Sequence, residues 1–192
     1  MGAYNMNMIS SVVGVRVATG PTIMLASGKW FDFLDPHGSD FDILDIANGL
    51  SKVCRYAGQC KEFYSVAEHS LIVSEQVDDY AFEALMHDAA EAFMGDITRP
   101  LKQLVPEFKR LEAAIEDAIS ERFNLRPDYR SVVKQADLRV LAAEQMQIMA
   151  EGCADWAKEA GIEPAPIRVN NLTPERAKEA FLSRFYDLAG AR

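Results

Sequence analysis

Cysteine, histidine, positive charge and long apolar runs are all scarce in this chain, and each scarcity narrows what it can be. The cysteines are three, Cys54, Cys60 and Cys153, without C-x-x-C spacing. That argues against a disulfide framework, and against Cys54 and Cys60 as zinc ligands for want of a second ligand pair. It points instead to reduced thiols in a cytoplasm-like compartment. Lys and Arg number 20 against 29 Asp and Glu, a formal charge of −9. This argues against a nucleic-acid polymer as partner, since that needs a broad basic face. A small anionic ligand stays open, because a metal and a few local cations can reverse the field inside a pocket. The apolar runs are too short to span a membrane. Met1 to Ser11 lacks the basic start and apolar core of a signal peptide.

What is present is a globular composition, 49% hydrophobic and 26% charged over 192 residues. It predicts a single domain with enough chain to bury a core. Residues 1–20 read as a loosely packed start. Two apolar runs around Ser27-Gly28, from Thr22 to Phe33, predict a β-hairpin, and Leu34 to Asp40 a loop. From Asp42 the pattern turns helical: Ile43, Ile46, Ala47, Leu50 and Val53 keep helical spacing up to Arg55, and Gly58 breaks it. Ser65 with Glu68 reads as a capping box for a helix to about Val77. Tyr80 to Met94 reads as one helix stopped by Gly95-Asp96. A short helix near Leu101–Leu104 follows. Glu107 to Phe123 is amphipathic, a long helix runs from Asp128 or Ser131 to about Gly152, and Trp156 to Ala160 extends helical structure. Thr173-Pro174 opens the last helix. The expected class is all-α, a helical bundle with a small N-terminal hairpin. Residues 1–41 form an extension, 42–144 the core and 145–192 the C-terminal helices.

The stretch of most chemical interest is Ala84-Leu-Met-His-Asp-Ala-Ala-Glu-Ala92. On a helix, His87 and Glu91 are i,i+4 neighbours and Asp88 and Glu91 i,i+3 neighbours, so all three project from one otherwise apolar side. His69, among Val66, Ile72 and Val73, and Asp137, among Val133, Val140 and Leu141, also face inward by helical spacing. His37 lies in a polar loop and reads as solvated. Any one inward His or Asp can be a hydrogen-bonded core residue. Taken together, on three helices, His69, His87, Asp88 and Asp137 form a mixed N/O set suited to Mn, Fe, Co, Ni or Zn.

These residues match the H…HD…D pattern of the HD-domain metal-dependent phosphohydrolases. The wording around them, Ser65-Val-Ala-Glu-His-Ser70, His87-Asp-Ala-Ala-Glu91 and Gly95-Asp-Ile-Thr-Arg-Pro-Leu-Lys102, resembles the compact bacterial 5′-deoxynucleotidase branch, which includes phage-type dATP triphosphohydrolases. The resemblance covers about Asp42 to Glu144. It implies the HD-domain bundle and one divalent transition metal on His69, His87, Asp88 and Asp137, with Mg accompanying the substrate phosphates. It further implies Glu91, with Asp88, as the catalytic carboxylates. Arg55 and Lys102 would contact phosphate, Asp96 the sugar 3′-hydroxyl, and Tyr56 would replace a Trp stacked by the sugar and base. Gly58 would lie at the base edge, and Arg99, Pro100 and Lys109 near the pocket mouth. Glu91 can also be a carboxylate that orients a ligand, Asp96 a turn cap, and Arg55 and Lys102 surface cations.

The expected activity is hydrolysis of 2′-deoxynucleotides of the dATP or dAMP type, releasing deoxynucleoside and triphosphate or phosphate. Rival readings are hydrolysis of another nucleotide such as (p)ppGpp, a non-catalytic nucleotide sensor, or a structural adaptor. The resemblance also implies a homo-oligomer, a dimer or hexamer, with the hairpin or the 107–123 helix as candidate interface.

Overall fold

The computed structural model describes residues 20–192, so the loosely packed start expected over 1–20 lies, apart from Gly20, outside the described residues. The fold is mostly helical with a small two-stranded antiparallel hairpin, as the periodicity predicts. β1 (Thr22–Met24) pairs with β2 (Trp30–Asp32), Ile23 opposite Phe31, and Gly28 takes a positive φ of 84° in the turn. The hairpin is no detached decoration. Phe31 is fully buried, stacks on Phe93 at 4.1 Å between ring centroids and meets Phe41 edge-on at 5.6 Å.

α1 (Ile43–Leu50) starts at Asp42, whose side chain accepts from the Leu44 and Asp45 amides while Asp45 returns a bond to the Asp42 amide. This reciprocal box satisfies donors that a helix start leaves orphaned. The helix ends at Leu50 rather than near Arg55. Beyond it Cys54 bridges Ser65, and the Arg55 amide donates to the Tyr64 carbonyl at 2.9 Å. Pairing with the segment before the next helix therefore takes the backbone groups that would have prolonged α1. A tight turn over Arg55–Gly58 follows.

α2 (Val66–Ser74) is buried along its whole length and packs against α3, α7 and α9. Ser65 caps it through the Glu68 amide. The expected return bond from Glu68 is absent, because that carboxylate accepts instead from the amides of Asn170 and Leu172, both at 2.7 Å. α2 stops at Ser74, short of Val77. α3 (Ala81–Met86) and α4 (Glu91–Met94) are two pieces where one helix was expected. α5 (Arg99–Leu104) and α6 (Pro106–Arg122) follow, then α7 (Arg130–Ile148), α8 (Asp155–Glu159) and α9 (Pro174–Gly190), which Thr173 caps as expected.

The core gathers Ile46, Leu50, Leu85, Ile115, Ile119, Phe181 and Phe185 around α2, while Val133, Ala136 and Val140 bring α7 onto its other side. α1 and α4 approach closely at Gly49, where a Cβ would lie 2.5 Å from the Ala92 carbonyl oxygen. Glycine there sets the seat of α4, and with it Glu91. No helix among the described residues is long and apolar enough to cross a membrane.

Candidate metal centre

The break between α3 and α4 has a local cause. The His87 ring lies with Nδ1 2.7 Å from the Ala84 carbonyl oxygen, the oxygen that would otherwise accept the next helical bond. The chain then tightens, with Ala89 N–H bonding to Met86 and Glu91 N–H to Asp88, both at 3.0 Å. In such tight winding residues i and i+3 eclipse, so Asp88 and Glu91 still share a side. The i,i+4 relation expected of His87 and Glu91 does not survive as regular helix.

The bond to Ala84 requires a proton on His87 Nδ1, since a carbonyl only accepts, which leaves the Nε2 lone pair of the neutral ring free. His69 is set the same way, its Nδ1 2.6 Å from Glu144 Oε1. Both Nε2 atoms are buried and lack a hydrogen-bond partner. They converge on Asp88 Oδ2, at 3.3 Å from His87 and 3.5 Å from His69, and the ligand atoms of the three residues lie within 4.8 Å of one another. This buried His69, His87 and Asp88 group could hold a metal ion. Asp137 adjoins it, Oδ1 3.3 Å from His69 Nε2 and Oδ2 bonded to Lys134 at 2.7 Å. Two imidazole lone pairs facing carboxylates fit a divalent cation, and Glu144 behind His69 is the orienting partner that metal-binding imidazoles commonly have.

The electrostatics ask for positive charge at this point. Burial and the Arg55 guanidinium favour neutral His69, yet Glu144 and Asp137 outweigh them and carry its pKa up to about 9. Burial pushes the Asp88 carboxyl up, but His87 and His69 hold it well below the usual carboxylate range. Glu144 is depressed to about 2 despite burial, by His69 and Arg55. A proton or a metal ion answers the same demand.

The remaining expected residues divide. Arg55 is buried, its Nη1 3.5 Å from Asp88 Oδ2 and its Nε 3.4 Å from Glu144 Oε2. It is thus no surface cation. Lys102 reaches Glu112 at 2.6 Å and lies 3.7 Å from Glu91, so it is shared between carboxylates. Glu91 Oε2 is buried without a partner, and burial, then Asp88 and Asp96, push its pKa well above the ordinary value. Asp96 accepts from the Tyr56 amide at 3.0 Å. This holds a turn in which Tyr56 and Ala57 both take positive φ, 58° and 50°, a conformation that costs non-glycine residues energy. The Tyr56 hydroxyl donates to Glu144 at 2.7 Å. A cavity of about 540 Å³ is lined by Arg55, Tyr56, Asp88, Glu91, Asp96, Arg99, Pro100, Lys102 and Asp137 among others. Gly58 and Lys109 are not part of that lining. His37 is an exposed loop residue as expected, beside Asp117 and Glu121.

No protein-family model matches the chain. It is 42% identical over 168 residues to "Uncharacterized protein YfdR" of Escherichia coli (strain K12), covering 86% of this chain and 94% of that one. The chain belongs to the YfdR family. A second relative, "Uncharacterized protein RCAP_rcc00048" of Rhodobacter capsulatus, is 32% identical over 184 residues, covering 85% of this chain and 93% of its own length. Neither name states an activity, so the chemistry of this YfdR-family chain rests on its own side chains.

Several of those side chains escaped the sequence reading. Glu144, fully buried, joins His69, Tyr56, Tyr64 and Arg55. It sits seven residues after Asp137, two turns on along one face of α7, and that spacing was the available signal. Lys134, beside Asp137, and Leu138, Leu141, Gln145 and Trp156 also line the cavity.

Proposed function

We propose that this chain is a metal-dependent phosphohydrolase of the HD-domain type, acting on 2′-deoxynucleotides of the dATP or dAMP class and releasing deoxynucleoside with triphosphate or phosphate. The observation that carries the reading is the pair of unpartnered His69 and His87 Nε2 atoms converging on Asp88, which lines one cavity together with Glu91, itself left with an unpartnered oxygen.

His69, His87, Asp88 and Asp137 would hold one divalent transition metal, which when bound supplies Lewis acidity to a phosphoryl oxygen and to water. The chain's own groups do the rest. Arg55 places a permanent positive charge beside Asp88 and favours a phosphate dianion over neutral ligands. Lys102 adds a second cation by releasing Glu112 or Glu91, and Arg99 at the rim is available to further phosphates. Glu91, kept protonated by burial and by Asp88 and Asp96, is poised to donate a proton to the leaving 5′-oxygen, as a general acid needs a raised pKa. Glu144 and the Ala84 carbonyl fix the tautomers of the two histidines. Asp96 and Glu144 hold the Tyr56 turn against the cavity, which gives the sugar and base an aromatic neighbour.

The test is product analysis of dAMP, dATP, AMP and ATP with Mn²⁺- or Co²⁺-loaded protein, beside Asp88→Ala. Deoxyadenosine is expected from dAMP or dATP, with metal content and turnover lost together in the variant. Undiminished turnover by metal-free protein, or no product from any of the four, overturns the reading.

A further inference from the structure

The far wall of the cavity differs in chemistry from its floor. Asp137 at the floor and Gln145 at the far end lie on one helix, eight residues apart, about 12 Å along the axis at 1.5 Å per residue. Between them α7 presents Leu138 and Leu141 to the cavity, and Trp156 of α8 lines it beside Gln145. The floor is a site for anions and cations. The far wall is apolar, apart from one amide.

That amide is held in one orientation. Trp156 Nε1 donates to Gln145 Oε1 at 2.6 Å. An indole N–H is only a donor, so the Gln145 oxygen must face it and the NH₂ must turn away. No described residue accepts a hydrogen bond from that NH₂. The wall thus combines an aromatic ring, two leucines and a donor turned away from the indole, about 12 Å along α7 from Asp137. A flat heteroaromatic ring with a hydrogen-bond acceptor on its edge satisfies all of these; a bare phosphate or sugar phosphate can accept from the amide but leaves the aromatic and leucine surface without an apolar partner.

We propose that Trp156, Leu138 and Leu141 form the shelf on which the nucleobase lies, and that Gln145, oriented by Trp156, donates to an acceptor on the base edge. This rests on the nucleotide reading of the site and adds the base-recognising residues to it. Trp156 thereby has two separable roles, a stacking face and an orienting N–H. Trp156→Phe keeps the face and frees the amide to rotate. Gln145→Met keeps length and bulk and removes the donor.

Two measurements test it. The chain has two tryptophans, Trp30 and Trp156, so Trp30→Phe leaves Trp156 as the sole indole reporter. Its fluorescence would be titrated with each of the four deoxynucleosides, with 2-deoxyribose 5-phosphate and with inorganic phosphate. Quenching by nucleosides and none by sugar phosphate or phosphate is expected, and Gln145→Met should weaken nucleoside binding about tenfold. The second measurement is steady-state hydrolysis of a deoxynucleotide against 2-deoxyribose 5-phosphate. Gln145→Met and Trp156→Phe should each raise KM for the nucleotide and leave the abasic substrate untouched. Nucleosides that fail to perturb Trp156, or KM values that rise together for both substrates, overturn the shelf even where hydrolysis is intact. Quenching by nucleosides with hydrolysis of nothing leaves the shelf standing and removes the phosphohydrolase.

Discussion

Glu68 on α2 and Glu91 on α4 are both buried carboxylates against the same core, and they are finished in opposite ways. Each Glu68 oxygen receives a backbone amide at 2.7 Å, from Asn170 and Leu172, so the carboxylate staples the segment before α9 to the central helix. Glu83 on α3 is likewise met, by Arg126 and Arg192. Glu91 has one oxygen with no partner and the other 3.7 Å from Lys102. All three are buried, but only Glu91 is left with an unmet valence. Burial of a charge therefore does not mark a site in this fold; incomplete satisfaction does, because a stable core rarely retains it without use.

The largest expected effect comes from breaking the open member. Glu91→Gln keeps the shape of the protonated acid and removes the transferable proton. Turnover of the deoxynucleotide should fall about 10²–10⁴-fold, the usual worth of a positioned acid, with metal content retained. The melting temperature should stay close to the parent's, because a neutral amide of the same shape replaces a neutral acid. Unchanged turnover would reduce Glu91 to a packing residue and erase the distinction.

The closed member should behave the other way. Glu68→Ala leaves the Asn170 and Leu172 amides unmet in a tight part of the molecule, at about 1–3 kcal/mol each. A fall in melting temperature of roughly 5–20 °C follows at this chain length, read by calorimetry, while kcat of the folded fraction stays at the parent level. A kcat loss as large as that of Glu91→Gln would show that α2 transmits to the site and that the two carboxylates are not independent.

The same contrast explains what could be read in the sequence. The class, the hairpin and most helices follow from local signals: the Ser-Gly turn, helical spacing in α1 and α6, and Thr173-Pro174 before α9. The inward histidines at 69 and 87 and the acids at 88 and 137 were legible because each sits on an apolar stripe. The boundaries were not, where a tertiary bond outbid the local one. The His87 ring on the Ala84 carbonyl split a helix made of good helix formers, and the 170–172 segment took the side chain that would have closed the box at Ser65. Glu144 was hidden for a related reason. Its partners Tyr56, Tyr64 and His69 lie 75 to 88 residues away in the chain, and nothing within α7 distinguishes it from a solvated glutamate except its distance from Asp137. Phe31 shows the converse, since a hairpin legible as a local unit proved to be core only through Phe93 and Phe41.

The smallest expected effect separates Glu83 from both. Its carboxyl is held below its ordinary value of 4.5 because, although burial raises it, the hydrogen bonds from Arg126 more than offset this. A depressed acid contributes stability that is present above the unfolded pKa and lost as pH falls through the folded one. The contribution should therefore be intact at pH 7 and disappear below pH 4.5. The Arg126 side chain is 46% exposed, so solvent screening discounts the pair to about 1 kcal/mol. Arg126→Ala should lower stability by that amount at pH 7 and converge with the parent in acid once Glu83 is protonated in the folded state, measured as urea midpoints across the range. A difference that persists unchanged in acid would mean that Arg126 acts through its packing on Tyr80, 4.2 Å from ring centroid to guanidinium. Glu83 would then be a buried carboxylate whose satisfaction is carried by Arg192 alone, closer in kind to Glu91 than to Glu68.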